Sequence, residues 1–351
     1  MNKSVPLQRL LLRSLLVGAL LALSGCALVP QEPPPPEPIA EPEPVVAPAP
    51  PVEAPPAAVP EPVAETPPQP VPVTARVAIV LSDSLPAYAS VAAGLARHLD
   101  DFESYDLSDR NRSPQQVFAA IADSRTEFVV AIGMHAAKFA RSYATVPVVF
   151  SQVFNVNDSG LVSDTTRGVA MLPPLDLQAE AWRGMDPKVR NVGAILGAGH
   201  DDLVAEAEQA MAKHGITLQH ATAHSDRETL YHFRRLVRGI DGFLLFPDNR
   251  ILSRAVFSEI MADAARHHVQ VAVFNESLLK HGATFSASAV DSNIADTITI
   301  VLNAFEAGKI DDVAAVTPLT GIRIRVNPAM VRIFGLITDG VEIDNSVADV
   351  Q

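Results

Sequence analysis

Serine, glycine and histidine residues follow two apolar segments near the start of the folded region, where they could hold a small molecule. Ser82 and Ser84 follow the first segment and could donate or accept hydrogen bonds there, although helix capping would also explain them. Gly133, His135 and Ala136 follow the second segment, at a predicted helix start whose backbone amides could receive a carboxylate. His135 is the side chain expected nearest such a ligand. A tight strand-to-helix turn is the structural alternative.

Acidic residues occur at comparable positions later in the chain. Asp248 and Asn249 end a third apolar segment, where a carboxylate could pair with a ligand amine or simply form a turn. Glu276 and Asp291 follow in similar positions, and Asp291 also fits a helix N-cap. Together these residue types favour non-covalent recognition of a small, amino-acid-like molecule. The sequence predicts no cofactor for this site.

Motifs for catalysis or metal binding are missing from the sequence. Eight of the ten histidines fall between His200 and His281, but no His-Glu-x-x-His pattern or cysteine partner accompanies them, so we expect no metal site. There is also no P-loop, nucleophile elbow or Cys-His pair. Gly193, Gly197 and Gly199 do not form a dinucleotide fingerprint, because two aspartates open the helix that follows. We therefore do not expect an enzyme.

The composition divides the 351-residue chain into pieces with different properties. Of the 29 prolines, 19 lie in residues 30–72, together with seven glutamates and no lysine or arginine. Such a segment cannot bury a core and is expected to be a disordered, extended spacer. The residues from Ala75 onward carry a net charge of −9. Nucleic acid is an improbable partner for a body of this charge.

The only cysteine, Cys26, follows the features of a secretory signal. Lys3, Arg9 and Arg13 precede a nine-residue apolar run at Leu15–Leu23, which is too short to span a bilayer. Leu23-Ser24-Gly25-Cys26 resembles a bacterial lipobox, which implies cleavage before Cys26 and acylation of that residue. The mature protein would then be held at a membrane by its lipid anchor. Ala27 differs from the aspartate of inner-membrane retention signals, and this implies the outer membrane, facing the periplasm.

From residue 76 onward, short apolar segments alternate with helical patterns. Strands are predicted at 76–81, 127–132, 146–150, 191–196, 216–221, 241–246 and 270–274, with helices at 86–99, from 135, and at 201–213, 227–237 and 253–267. Nearly continuous apolar strands between helices are typical of parallel sheets covered on both faces. We therefore predict an α/β protein with two doubly wound lobes and a cleft at the carboxyl ends of the strands.

Several ordered stretches resemble substrate-binding proteins of ABC transporters, in the group with the type I periplasmic-binding-protein fold. The matching stretches are Glu127–Lys138, Val146–Asn155, Asp186–Ile195, Asp241–Asn249, Val271–Ala283, Val290–Asp291 and Ile324–Leu336. Pro247-Asp248-Asn249 is the most specific of them. The resemblance implies ligand contacts from the loop that includes Gln152 and Asn155. Asn155 stands where this family presents an aspartate, and the change removes a charge.

By analogy with this family, the chain would cross between lobes three times. Lobe one would comprise 75–170 and about 289–310, and lobe two 171–288 and about 311–336. A signal peptide (1–25), an acylated cysteine with its linker (26–74) and a C-terminal tail (337–351) would complete the chain. The lobes would close on a ligand by a hinge motion.

Two functions of different classes follow from these features. One is a lipid-anchored extracytoplasmic binder that presents a solute to an ABC permease. The other is an outer-membrane lipoprotein that reuses the fold as an envelope interaction or regulatory protein, similar in plan to activators of peptidoglycan synthases. The state of the cleft distinguishes them, because a binder keeps convergent polar groups there, whereas an interaction protein can fill it.

Overall fold

The structure is a computed structural model that describes residues 73–156 and 159–347. The predicted signal peptide, Cys26 and the whole proline-rich segment (residues 30–72) lie outside the described residues. Within the described ranges, no helix is long and apolar enough to cross a membrane.

Strands and helices alternate along nearly the whole described chain. The first part contains β1 (Val77–Leu81), α1 (Pro86–Leu95), β2 (Phe102–Asp106), α2 (Pro114–Ala122), β3 (Phe128–Ile132), α3 (Met134–Tyr143), β4 (Val148–Ser151), β5 (Thr166–Val169) and α4 (Leu175–Met185). It continues with β6 (Asn191–Leu196), α5 (Asp201–Lys213), β7 (Thr217–Thr222), α6 (Asp226–Leu236), β8 (Gly242–Leu244), α7 (Arg254–His267) and β9 (Gln270–Val273). The last elements are β10 (Phe285–Ser288), α8 (Asp291–Glu306), β11 (Val316–Thr317), β12 (Arg323–Val326), α9 (Pro328–Phe334) and β13 (Glu342–Ile343).

These strands form two separate sheets. The first has six strands in the order β11-β5-β4-β3-β1-β2, and the second has seven in the order β13-β12-β10-β9-β8-β6-β7. All pairings between these strands are parallel except β10 with β12. The prediction of two α/β lobes with mostly parallel sheets is confirmed.

Each sheet is apolar on both faces, as its position between two helical layers requires. In β1, Val77 and Ile79 pack with α1 and α8, whereas Ala78 and Val80 pack with α2 and α3. The second sheet is likewise flanked by a core cluster that includes α4 and α5 and another that includes α6 and α7. This alternation explains why the strand segments read as continuous apolar runs.

The chain passes between the two sheets three times, after β5, after β10 and after β11. The last crossing is later than the expected division at residue 310, because Val316 and Thr317 pair with Gly168 and Val169 of β5. The expected tail after residue 336 also differs from the structure. Glu342 and Ile343 pair with β12, so they extend the second sheet.

Several elements were absent from the sequence-based prediction. The strand β2 is one of them, since its first three residues are exposed at a sheet edge and lack an apolar pattern. The helix predicted at 86–99 ends its regular part at Leu95 and continues as one 3₁₀ turn. The helix α5 was predicted with its observed bounds, Asp201–Lys213.

Gly242 in β8 allows the closest packing in the second lobe. The Trp182 ring covers it, and a Cβ at this position would lie 2.2 Å from Cζ2 of Trp182. The same ring stands edge-on to Phe285 at 5.0 Å, and its Nε1 donates to Oε1 of Gln270 at 2.8 Å. The indole is therefore held in place by contacts on three sides.

We predict that Gly242→Ala lowers the free energy of unfolding by about 1–3 kcal/mol, because the added methyl group overpacks a fixed ring. Gly184→Ala is the matched control. Gly184 lies in α4 close to Trp182 in sequence but has open space around its Cα, so alanine should stabilise that helix by roughly 0.5–1 kcal/mol. Urea denaturation of the two variants measures both changes. Equal stabilities would contradict the packing argument.

Candidate functional site

A cleft of about 420 Å³ lies between the two lobes, where loops at the carboxyl ends of strands from both sheets meet. It is lined by Tyr88, Met134, Lys138, Gln152, Val153, Phe154, Asn155, Ser159 and Met171 on one side and by Pro247, Asn249 and Arg250 on the other. Its volume falls within the range of sites for small molecules. Of the predicted ligand-binding residues, the structure brings Gln152, Asn155 and Asn249 together here.

The start of α3 forms one wall of the cleft. Gly133 precedes the helix with φ of +91°, and a Cβ there would lie 2.5 Å from Oγ of Ser82. That hydroxyl accepts a hydrogen bond from the amide of Ala136 at 2.9 Å. The Ser82 hydroxyl therefore accepts from one of the amides that were predicted to bind a ligand carboxylate, and this bond positions the start of the helix. A side chain at Gly133 would break this contact.

The side chains of α3 that line the cleft do not include the predicted one, His135. Met134 and Lys138, one helical turn apart, line it. His135 is exposed and stands edge-on to Phe139 at 4.9 Å. His135 is not among the residues that line this cleft, because its side chain leaves the helix on another face, and its contact with a ligand stays a prediction. Lys138 instead supplies a positive charge at this wall.

The loop after β4 connects the two lobes across the cleft. Gln152 adopts the left-handed backbone region with φ of 58°, a conformation that is costly for residues other than glycine and is often found at ligand sites. The Phe154 ring lies 4.6 Å from the ring of His200 and 6.2 Å from that of Phe246. Oδ1 of Asn155 lies 2.7 Å from Nε2 of His200. This loop of the first lobe thus contacts the second through two ring contacts and one hydrogen bond.

The carboxylate of Asp248 is buried in the second lobe, with 1% of the residue exposed. It accepts from the Gly197 amide at 2.9 Å and from Nε and Nη2 of Arg250 at 2.9 and 2.8 Å, while Nε2 of His200 lies 3.4 Å away. Burial alone would raise the pKa of Asp248, but the donors from Arg250, His200 and Gly197 hold this pKa well below its usual range. The carboxylate is therefore ionised and fully occupied.

In this arrangement the carboxylate that was predicted to meet a ligand amine is engaged by donors of the protein. A buried carboxylate needs partners inside the protein, and here Arg250 provides them. A Cβ on Gly197 would lie 2.7 Å from both Oδ2 of Asp248 and Nη2 of Arg250, so glycine is needed for this approach. Arg250, whose guanidinium is held by Asp248, is the charged residue that the second lobe contributes to the cleft.

Other predicted site residues lie away from the cleft. Glu276 pairs with Arg325 at 2.9 Å and joins a 3₁₀ turn to β12. Asp291 accepts from the Ser90 hydroxyl and joins α8 to α1. Ser84 is exposed in the loop before α1. These three residues are not among those that line the cleft, and their contacts with a ligand stay predictions.

Several residues that line the cleft were missed in the sequence. Tyr88, Met134, Lys138, Phe154, Met171 and Arg250 belong to this group. The spacing of Met134 and Lys138 was the one available signal, because it places both on one helix face. Burial and the nearby Asp83 raise the pKa of Tyr88, so its hydroxyl remains a neutral donor. Among the described residues, no cluster of three or more His, Cys, Asp or Glu side chains could hold a metal ion.

Comparisons with known proteins agree with this fold. Residues 87–321 match the family described as ABC transporter substrate binding protein. No curated protein matches the chain in sequence.

Solved structures share the fold at low sequence identity. One from Streptococcus pneumonia, described as an ABC domain in complex with L-Trp, is 16% identical with a TM-score of 0.54, and the match covers 79% of this chain and 98% of that one. A conserved domain protein from Vibrio cholerae is 20% identical with a TM-score of 0.53 and the same coverage. A ligand-free, open substrate-binding protein with adhesive properties from Clostridium difficile is 14% identical with a TM-score of 0.59, covering 77% of this chain and 99% of that one.

We predict that Asp248→Asn lowers the free energy of unfolding at pH 7 by about 2–4 kcal/mol, because it breaks a buried ion pair. The pKa of Asp248 is lower in the folded protein than in the unfolded chain. Its contribution is therefore complete well above the unfolded value of about 4 and declines as the pH falls below it. The difference from the wild type should accordingly be smaller at pH 3 than at pH 7.

The matched control for this prediction is Asp123→Asn, since Asp123 is exposed at the end of α2. Chemical denaturation at both pH values gives the comparison. A loss of stability that is the same at pH 3 and pH 7 would contradict the assigned ionisation.

Proposed function

This chain belongs to the ABC transporter substrate-binding protein family, and from that premise we propose that it captures a small amino-acid-like solute between its lobes. Membership confirms the family that the ordered stretches predicted. The finer proposal, an amino-acid-like ligand, is supported by the chemistry of the cleft. The predicted lipid anchor at Cys26 and the periplasmic face of the outer membrane remain part of this proposal.

The observation that carries the proposal is the pair of cations in the cleft. Lys138 comes from the first lobe and Arg250 from the second, and both side chains line the same space. Arg250 is oriented by its two hydrogen bonds to Asp248. A carboxylate placed between the two cations would interact with both lobes. Charge-assisted hydrogen bonds of this kind are stronger than those between neutral groups.

The amine of such a ligand would meet neutral acceptors. The carboxylate of Asp248 is occupied inside the protein, so the amide oxygens of Gln152 and Asn249 are the groups available at the cleft surface. The hydroxyl of Tyr88 adds a further hydrogen-bonding group on the first lobe. The proposal therefore keeps an amino-acid-like ligand and reassigns both of its charged ends.

Three crossings between two separate sheets suit a hinge motion. A ligand that interacts with both lobes favours the closed state by its differential affinity for that state. The related structures include one with L-Trp bound and one that is ligand-free and open. A permease of the ABC type is the partner that this family implies, and an envelope protein is the alternative partner.

We predict that L-amino acids raise the thermal stability of the purified protein, with L-tryptophan as the first compound to test. At 100-fold excess over Kd, a ligand adds about 2.7 kcal/mol to the free energy of unfolding. Lys138→Met should weaken the binding of a responding amino acid by about 10- to 100-fold, because a charged hydrogen bond is removed. Isothermal titration calorimetry measures this change.

Lys188→Met provides the control, since Lys188 is exposed and outside the cleft. Its affinity should equal that of the wild type. If none of the 20 common L-amino acids shifts the melting temperature, the binding proposal fails. The envelope interaction protein would then be the function to pursue, since its surface needs no metabolite.

A further inference from the structure

The outer face of α6 carries a row of arginines on a body whose net charge is negative. Residues 75–351 have a net charge of −9, yet four of their arginines lie between positions 227 and 238. An open concavity of about 730 Å³ runs along this face. It is lined by Arg227, Leu230, Tyr231, Arg234, Arg235 and Arg238, here called the arginine stripe. We infer that the arginine stripe docks on the surface of an anionic phospholipid bilayer, a function that goes beyond solute capture and does not depend on it.

The spacing of the stripe residues follows the helical period. Counted from Arg227, the others lie at i+3, i+4, i+7, i+8 and i+11, which places all six on one side of α6 and of the turn that follows it. The stripe is about 16 Å long, given the rise of an α-helix. Thr229 and Phe233 of the same helix are buried. One side of α6 thus packs in the second lobe, while the other presents cations to solvent.

Most of the charge on the stripe is available for a partner. Arg234 is paired with Glu259 at 3.2 Å and with Asp263 at 3.1 Å, so its charge is largely compensated. The other three arginines are exposed, and the described part of the chain contains no ion pair with them. These three are Arg227, Arg235 and Arg238.

The acidic residues of α6 lie at its first turn. Asp226 is exposed there, and the carboxylate of Glu228 accepts from the amide of His224 at 2.8 Å. Both weaken the positive potential beside Arg227. The positive potential of the stripe is therefore strongest toward its other end, at Arg235 and Arg238.

An aromatic ring lies among these arginines. Tyr231 is 57% exposed, and the guanidinium carbon of Arg235 lies 5.6 Å from the centre of its ring. Nη1 of Arg235 donates to the tyrosine hydroxyl at 3.4 Å. Tyrosine rings are enriched at the head-group level of membranes, and arginine binds phosphate through two parallel hydrogen bonds. The pair thus offers one group for the phosphates and one for the interface beneath them.

The composition of the stripe favours a bilayer over other acidic partners. The centre of a protein–protein interface is apolar and depleted of charge, whereas Leu230 is the one aliphatic residue of the stripe and is only partly buried. The predicted export signal favours lipid over nucleic acid as the source of phosphate. A bilayer also meets one face of the protein only. Charges on the far side, beyond about 8 Å, are largely screened at physiological ionic strength, so the net charge of −9 does not prevent this approach.

The experiment places a fluorescent reporter on the stripe. The chain has one cysteine, so Cys26→Ser gives a full-length protein without a thiol and without the predicted acylation site. In this background, Tyr231→Cys attaches a nitrobenzoxadiazole dye to the stripe. Tyr143→Cys attaches the same dye to the first lobe and is the matched control, because Tyr143 is also an exposed tyrosine on a helix. The probes are vesicles of phosphatidylcholine and vesicles of phosphatidylcholine mixed with an equal amount of phosphatidylglycerol.

The dye at position 231 should gain fluorescence with the anionic vesicles and not with the neutral ones, and the dye at position 143 should respond to neither. Arg235→Glu combined with Arg238→Glu should weaken the apparent affinity for anionic vesicles by about 10-fold or more, because each cation near such a surface contributes several-fold. Arg235→Gln with Arg238→Gln, which introduces no repulsion, should give a smaller loss in the same direction. Added salt should weaken the response.

The matched control for the charge reversal is Arg110→Glu combined with Arg112→Glu. It changes the net charge by the same amount at two exposed arginines before α2 in the first lobe, and it should change the affinity less than about 2-fold. Because all four arginines are exposed, both double variants should keep the melting temperature of the parent protein.

Three results would overturn the inference. Equal losses from the two charge reversals would show that net charge alone governs binding. A dye at position 143 that responds as strongly as the dye at position 231, or an equal response to neutral vesicles, would show that the stripe is not the contact surface. If vesicles give no response but poly-L-glutamate or single-stranded DNA changes the fluorescence at position 231, the stripe binds another polyanion and the bilayer is the wrong partner.

Discussion

The buried carboxylate of Asp248 is the interaction on which the arrangement of the cleft depends. Leaving a negative charge inside the second lobe is costly unless donors surround it. Those donors are the amide of Gly197, the guanidinium of Arg250 and the ring of His200. Because Arg250 donates to Asp248, its guanidinium is held at the cleft. The contact of His200 with the same carboxylate places that ring against the first lobe. One buried charge therefore determines both the polarity of the site and one contact between the lobes.

Much of the fold was predictable from local sequence. Parallel strands buried on both faces leave continuous apolar runs, and the bounds of β6 (Asn191–Leu196) and α5 were predicted as the structure has them. The prediction failed where that physical signal is absent. The edge strand β2 is largely exposed, and β11 has only two residues, so neither has a pattern that burial would impose. Because β11 was missed, the third crossing was expected too early.

The candidate site was less predictable because side-chain direction depends on distant partners. The sequence predicted Asp248 at the end of a strand, whereas β8 ends at Leu244 and Asp248 lies in the segment that follows; the inward direction of its carboxylate was not predicted. That direction depends on Gly197, which lies 51 residues earlier in the chain. Likewise, His135 and Lys138 share one helix, and only the packing of α3 decides that Lys138 lines the cleft. Residue type and position along a strand indicate where a site lies, whereas tertiary packing decides which atoms it presents.

The contact made by Phe154 and Asn155 has a consequence for the hinge. These neighbouring residues of the first lobe hold His200 of the second through a ring contact and a hydrogen bond. Any motion of the lobes must keep or break this contact, which lies at the wall of the cleft. A ligand that displaces Phe154 would therefore alter a contact between the lobes. Binding in the cleft and motion of the lobes would in this way be coupled through a single loop.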